Sequence, residues 1–540
     1  MASPDTLKKS DPVSELHPAP DTVSPINDKF VELLMDRYLY TDDIRSNIIS
    51  ENLLPKGVLA RLDAAYPQYS GIQESREFMF TGKHHYSGLK GFREIVAILE
   101  KNGIDIGHIA ERELFIDVYR FLATKHVLNK IDWNDFENDS LFQLVMPQPG
   151  MIDSGVVNAY INAVSEEEKA QIVREHQKNT NPHDGNQLLN KPWYLNDAGE
   201  PVVLKGSQHK YPPCQLIFDK TTQSCFAFCT YCFRHAQVRG DEDMFAQDDI
   251  GEIHEYLKRH KEVTDVLITG GDAGHIPFGR LEKYITPILE DPELLHVKTL
   301  RLGSRALTFH PEMILQSDYD KFLDLFQKIY DHGVQVVWMA HISTPREVIN
   351  PSAIAAIRRL KSRGVTIRSQ SPIMNNISLF KDEDGKVDVD RSAQNWIDLG
   401  NVLGMLGVGF HSMYCARPTG EHHYFSAPLA DILEIFNKVY RELPSVNRPS
   451  RYITMTSSAG KVSLIGATKI NGRDAFVLKF NEARNMKWMD EVFFAEYDRE
   501  ENTIENLKPF DSDTYFYEEE LEEIERTLAE QLQREFQKQN

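Results

Sequence analysis

Five cysteines in 540 residues are too few for a disulfide framework, so a buried core must hold the fold. No uninterrupted apolar run reaches the roughly 18 residues of a bilayer-spanning helix. The opening stretch MASPDTLKKSDPVSEL lacks the apolar core of a secretory signal and carries too many acids for a typical transit peptide. Positive charge is also in deficit. Sixty Lys and Arg against 81 Asp and Glu leave a formal net charge of -21. That field repels phosphate and argues against nucleic-acid or anionic-membrane partners, while leaving room for local basic pockets. These absences predict a soluble, cytoplasmic protein. No internal repeat is seen beyond an alternation of strand-like and helical segments.

The few cysteines are not scattered. Cys225, Cys229 and Cys232 lie within eight residues, CFAFCTYC, followed by Phe233-Arg234-His235. Single buried thiols are common, but burial gives no reason for three at spacings of four and three. Three thiolates suit an iron-sulfur cluster with one iron left open. They also suit a structural zinc, with Cys214 or His235 as fourth ligand, or simply three unligated thiols.

At 41% hydrophobic and 26% charged residues, the composition is that of an ordinary globular protein, long enough for more than one domain. Residues 1–27, rich in Pro, Ser, Asp and Lys, read as a disordered tail. Residues 28–205 read as a helical N-terminal domain without chemistry of its own. Its predicted helices are FVELLMDRYLY, GFREIVAILEKN, RELFIDVYRFLATKHVLNKI and SEEEKAQIVREHQKN, the last opening on Ser165 with acids in its first turn. From 206 to 460 the pattern becomes short apolar strands (215–219, 265–270, 299–303, 335–341, 366–371 and 408–414) separated by amphipathic helices. Six parallel βα units give an α/β fold, either a partial barrel or a doubly wound sheet; both place chemistry at the C-terminal ends of strands. Residues 461–540 read as a C-terminal extension of strand-like pieces and a terminal helix, packed across the barrel or against a second copy in a homo-oligomer.

Candidate residues fall at those strand ends. Gly270-Gly271-Asp272 follows the second strand, where glycines let backbone approach a ligand, or merely turn. Arg305 follows the third strand, His341 the fourth, and Gln370 lies in the fifth. Lys461 ends TSSAGK. A phosphate-loop lysine is excluded because Met455 and Val462 stand where Gly and Ser or Thr are required. The remaining readings are a solvated surface lysine or a Schiff-base lysine whose site lowers its pKa.

The ordered pieces KYP (210–212), CFAFCTYCFR, LITGGDA (267–273), LGSR (302–305), SQS (369–371) and AGK (459–461) resemble the lysine 2,3-aminomutase group of radical S-adenosylmethionine (SAM) enzymes. The resemblance implies a partial (βα)6 TIM-type barrel. It also implies a 4Fe-4S cluster on Cys225, Cys229 and Cys232, SAM on the open iron and beside Gly270, Gly271 and Asp272, and pyridoxal 5'-phosphate (PLP) on Lys461. Arg305, Gln370 and Lys210 match phosphate-holding positions, His341 is counted with the cofactor contacts, and Arg234 matches the arginine for the substrate α-carboxylate. The implied activity is an isomerase reaction, a 2,3-aminomutase that moves an α-amino group to the β-carbon of a small amino acid. Its electron donor would be flavodoxin or ferredoxin. Lysine-specific members hold the distal ammonium with two aspartates; here Ala416, beside Arg417, and Thr454 occupy those places, so the expected substrate is not free lysine but glutamate or another amino acid. The alternatives are a PLP-independent radical SAM enzyme of the same fold and a non-enzymatic zinc-binding scaffold.

Overall fold

The computed structural model describes residues 25–74, 76–180, 188–240 and 245–538; most of the expected tail lies outside the described residues. Eleven strands form one sheet in strict chain order. They are β1 Ser207–Tyr211, β2 Cys214–Phe218, β3 Asp265–Thr269, β4 Thr299–Gly303, β5 Gln335–Ala340, β6 Thr366–Ile373, β7 Gly409–Cys415, β8 Ile453–Thr456, β9 Gly460–Ile470, β10 Arg473–Ala483 and β11 Val492–Glu496.

Strands β2 to β7 are mutually parallel, and β8 joins β7 in parallel through the Tyr414–Thr454 pair. β1 and β9 to β11 are antiparallel additions at the two ends. The order shows no reversal, which a doubly wound sheet requires. The β1 edge reaches the β8–β9 turn, where Lys210 Nζ donates to Ser457 O at 2.5 Å.

Each parallel crossover carries a helix, as parallel strands demand. Four follow the sequence pattern: Ile250–Arg259, Asp320–Asp331, Pro351–Lys361 and Leu429–Glu442. Two more are Phe278–Glu290 and Val389–Leu406. The first buries Leu281, Tyr284, Ile285, Ile288 and Leu289, a single stripe at three-to-four spacing facing the sheet.

The N-terminal region is mainly helical, with two small antiparallel ribbons. One expected helix is divided. RELFIDVYRFLATKHVLNKI ends its first helix at Val118, runs through a strand Leu122–Thr124 paired with His85–Ser87, and resumes as Lys125–Leu128. Phe121, Leu122 and Ala123 are all buried, and in a segment buried on every side apolar periodicity cannot separate strand from helix. The expected boundary at 460/461 is crossed by one hairpin, so β8 to β11 continue the same sheet. The terminal helix Glu518–Lys538 starts against its own chain, with Glu520 accepting from Trp488 Nε1 at 2.6 Å and Asn485 Nδ2 at 2.7 Å. Among the described residues no helix is long and apolar enough to cross a membrane.

Candidate active site

The cysteine loop leaves the C-terminal end of β2 and is fixed by its neighbours. Phe228 N donates to Leu122 O at 2.7 Å, and Thr230 donates from N to Leu144 O at 2.9 Å and from Oγ1 to Gln143 O at 2.7 Å. The three thiols line one cavity of ≈ 150 Å³, together with Gly270, Gly271, Asp272, Arg305 and His341. Burial pushes the Cys225 thiol well up, raises Cys229 against the pull of Arg305, and lifts Cys232 to about 12.

Loop stitching explains the glycines. Gly271 N and Asp272 N both donate to Thr222 O, at 2.7 and 3.1 Å, and Asp272 Oδ2 accepts from Arg305 N at 2.8 Å. Three strand-end loops are thereby locked together. Gly270 has φ +138, and a Cβ there would lie 2.2 Å from Thr222 Oγ1, so no side chain fits.

A tetrahedral zinc at about 2.3 Å from each sulfur would hold thiolates close together. Among the described residues, the set of three ligating atoms mutually within 4.8 Å is His209, His260 and Glu262, not the cysteines. The proposed fourth zinc ligands are engaged elsewhere: Cys214 Sγ accepts from Arg301 Nη2 at 2.8 Å, and His235 Nε2 meets Thr180 O at 2.9 Å.

A second cavity of ≈ 240 Å³ adjoins the first and shares Tyr231, Phe233, Arg234, Leu267, His341 and Gln370 with it. Lys461, Lys210, Arg417, Ala416 and Tyr414 line its far side. Lys461 stands on β9 rather than in the preceding turn, opposite Glu482 of β10, and its Nζ meets Glu482 Oε2 at 2.6 Å. Burial alone would lower its pKa, but Tyr414, Glu482 and Tyr211 outweigh burial and hold it above the usual lysine value. This reverses the lowered pKa expected of a Schiff-base lysine and shows an ammonium held by its ion pair. Lys210 goes the other way: burial, then Arg484 and Arg417, push it well below.

The larger cavity is short of anions. Among the described residues Glu482 is the sole carboxylate on its lining, against Lys210, Arg234, Arg301, Arg417 and Lys461. Arg301 is paired with Asp265 at 2.5 Å. Arg234 and Arg417 lie at 5.1 and 5.5 Å from the Phe233 ring. Neither has an ion-pair partner among the described residues. Burial and then Arg417 lower Arg234 to about 10. Tyr211 Oη is buried without a hydrogen-bond partner between these cations, as a group that meets a bound ligand would be. The donor set therefore fits an anionic cofactor attached at Lys461.

Arg305 is placed differently from expectation. It lines the cysteine cavity and not the Lys461 cavity. Its guanidinium donates to Cys229 Sγ at 3.1 Å, Tyr231 Oη at 2.9 Å and Glu347 Oε1 at 2.5 Å, leaving Nε buried and unpartnered. Gln370 and His341 line both cavities and bond to one another. Burial, then Arg305, drives His341 down to about 3, so its imidazole is neutral. Thr454 is buried and off the cavity lining.

Sequence reasoning missed Glu347, Glu482 and Arg484. The signal for Glu347 was Thr344-Pro345-Arg346-Glu347, a capping box now seen intact; such boxes are legible in sequence. Glu482 and Arg484 carried no local signal, because their place depends on the β9–β10 register.

No family model matches the chain. A protein of Aquifex aeolicus (strain VF5), provisionally named L-lysine 2,3-aminomutase, is 29% identical over 277 residues, covering 51% of this chain and 68% of that protein. Glutamate 2,3-aminomutase of Clostridioides difficile (strain 630) is 25% identical over 315 residues, covering 56% and 69%. A solved radical SAM methyltransferase from Sphaerobacter thermophilus aligns at 13% identity with a TM-score of 0.29, over 49% of this chain and 73% of its own. In sequence and in its cysteine motif, the chain is thus similar to the lysine 2,3-aminomutase-like family of radical SAM proteins.

Proposed function

We propose that the protein is a PLP-dependent radical SAM 2,3-aminomutase acting on an acidic amino acid, built on a partial (βα)6 barrel. The observation that carries the reading is the shared wall: a cavity with three thiols and a cavity with Lys461 meet at Arg234, His341 and Gln370. A radical made in one need travel no distance through solvent to reach a substrate in the other.

Cys225, Cys229 and Cys232 would hold a 4Fe-4S cluster with one iron free for SAM, with the Gly270–Asp272 backbone beside it. Lys461 would hold PLP, with Lys210 and Gln370 toward its phosphate. When bound, the cluster and SAM supply a hydrogen-abstracting radical, and PLP supplies the group that carries the migrating amine. The chain's own residues bind and orient. Arg234 pairs with the α-carboxylate, the neutral His341 donates or accepts without adding charge, and the aromatic rings of Tyr231, Phe233 and Phe425 exclude water.

The second carboxylate falls to Arg417. A lysine substrate would bury its distal ammonium among cations, at a cost on the order of several kcal/mol. A dicarboxylic amino acid gives each unpaired guanidinium a planar, bidentate partner.

Borohydride reduction of the PLP-reconstituted protein, followed by peptide mapping, should place a pyridoxyl label on Lys461 and none in Lys461→Ala. Label elsewhere, or none, supports the PLP-independent reading. An anaerobic assay offering lysine, glutamate, arginine and alanine should convert glutamate best, and efficient formation of β-lysine would overturn the substrate assignment.

A further inference from the structure

A second group of metal-ligating side chains lies outside both cavities. His209 stands on β1, and His260 and Glu262 stand in the turn between the helix Ile250–Arg259 and β3. One ligating atom from each of the three lies within 4.8 Å of the other two. None of the three lines either cavity. His260 Nδ1 and Glu262 Oε1 form a hydrogen-bonded pair at 2.8 Å. Two ligands on a tetrahedral zinc, each roughly 2.1 Å from the ion, sit about 3.4 Å apart, so an ion can replace the proton between them with little movement. The widest separation, 4.8 Å, exceeds that spacing by about 1.4 Å. Side-chain rotation can close it, because Glu262 is 48% and His260 31% exposed.

The two imidazoles are already oriented from behind. Tyr256, a buried residue of the same helix, stacks on the His260 ring at 4.0 Å, and its Oη meets His209 Nδ1 at 2.7 Å. His209 Nε2 meets Pro212 O at 3.0 Å. A ligating imidazole is normally held by a partner on its other nitrogen; whichever nitrogen of His209 takes an ion, the other keeps such a partner. His260 caps the C-terminus of its helix, the end whose dipole favours a cation. The intervening Lys261 is engaged elsewhere, its Nζ donating to Glu293 O at 2.5 Å.

We propose that His209, His260 and Glu262 form a binding site for a divalent transition-metal ion of the zinc type, and that the bound ion clamps β1 to the turn ahead of β3. Two imidazoles and one carboxylate suit such an ion, and three protein ligands leave a fourth position to water. Binding releases the proton shared by His260 and Glu262 to solvent, and no oxidation state changes. The clamp falls where β1 is least regular. Its ladder with β2 pairs Ser207 with Ile217 and Gln208 with Leu216, shifts register, and resumes at Tyr211 with Cys214. His209 lies in that interval, directly before Lys210 and Tyr211, which line the Lys461 cavity. Neither the cysteines nor Lys461 is among the ligands, so the site stands apart from the cofactor assignments above.

The test uses the full chain with its cluster reconstituted, freed of loosely held metal by dialysis, and zinc as the probe. Equilibrium dialysis should find one zinc bound per chain at micromolar zinc, and at least about tenfold weaker binding in Glu262→Gln and in His260→Asn. Cobalt in the same site should give a visible spectrum of nitrogen and oxygen ligation, without the thiolate charge-transfer bands that binding at the cysteines would add. Amide exchange across Ser207–Tyr211 should slow with zinc in the wild type and not in Glu262→Gln. Equal zinc affinity in wild type and both variants, binding only at millimolar zinc, or thiolate bands with cobalt overturns the site. Zinc binding that leaves exchange in β1 unchanged overturns the clamp.

Discussion

Glu347→Gln removes one charge from the site and almost no volume, so its effect isolates the ion pair with Arg305. Both side chains are buried, 9% exposed for Arg305 and 1% for Glu347. The carboxylate accepts from Arg305 Nη2 at 2.5 Å, Ser343 N at 2.6 Å and Thr344 N at 3.2 Å. An amide has one accepting oxygen and one donating nitrogen. Either orientation therefore points its NH₂ at another donor, the guanidinium or the two backbone amides. Removing one member of a buried pair costs about 3–5 kcal/mol, and the clash of donors places the variant toward the upper end. Denaturant unfolding of the cofactor-free protein measures the loss as a lower midpoint. Arg305→Met combined with Glu347→Leu should recover only part of it, because the uncompensated charge is gone while Ser343 N and Thr344 N lose their acceptor. A Glu347→Gln protein within about 1 kcal/mol of wild type, the range of exposed pairs, would refute a buried Arg305–Glu347 pair.

Other outcomes follow from the same geometry. His341 is lowered from 6.5 to about 3 by burial and then Arg305, so it contributes stability above pH 6.5 that is lost as pH falls toward 3; His341→Gln should unfold with a shallower acid dependence over that window. Gly270→Ala, whose Cβ would sit 2.2 Å from Thr222 Oγ1 and 2.6 Å from Thr222 O, should cost at least about 1–3 kcal/mol through backbone strain alone and loosen the cysteine loop, read as a lower thermal midpoint. Cys225→Ala, Cys229→Ala and Cys232→Ala should each lose iron on reconstitution. Cys214→Ala and Cys415→Ala should retain it, as measured by iron and sulfide content.

The strands of the parallel sheet were legible because each is a short apolar run bounded by helical periodicity; Asp265–Thr269 and Thr299–Gly303 fall where the pattern put them. The strand order was not legible, since local sequence is silent on which edges meet. The site divided in the same way. The cysteines and Gly270-Gly271-Asp272 are contiguous motifs whose spacing carries chemistry, and they share one cavity. Lys461 and Arg305 are single residues, and their partners decide their state. Glu482 reaches Lys461 only through cross-strand register, and Glu347 reaches Arg305 from the loop after β5. Those pairings invert the expected lysine pKa and draw Arg305 to the thiols. Lys210, Arg417 and Arg484 form their cationic group only because the fold brings β1 beside the segments that follow β7 and β10.

The central claim is that an amine migrates within an acidic amino acid at the junction of the two cavities. Anaerobically reconstituted protein, supplied with SAM, PLP, dithionite and glutamate labelled with ¹⁵N at its amine and ¹³C at carbon 3, tests it by NMR. The account predicts a new one-bond ¹⁵N–¹³C coupling at carbon 3, lost in Lys461→Ala. Cleavage of SAM with the nitrogen still on carbon 2 of glutamate, or a coupling that persists without Lys461, would contradict it.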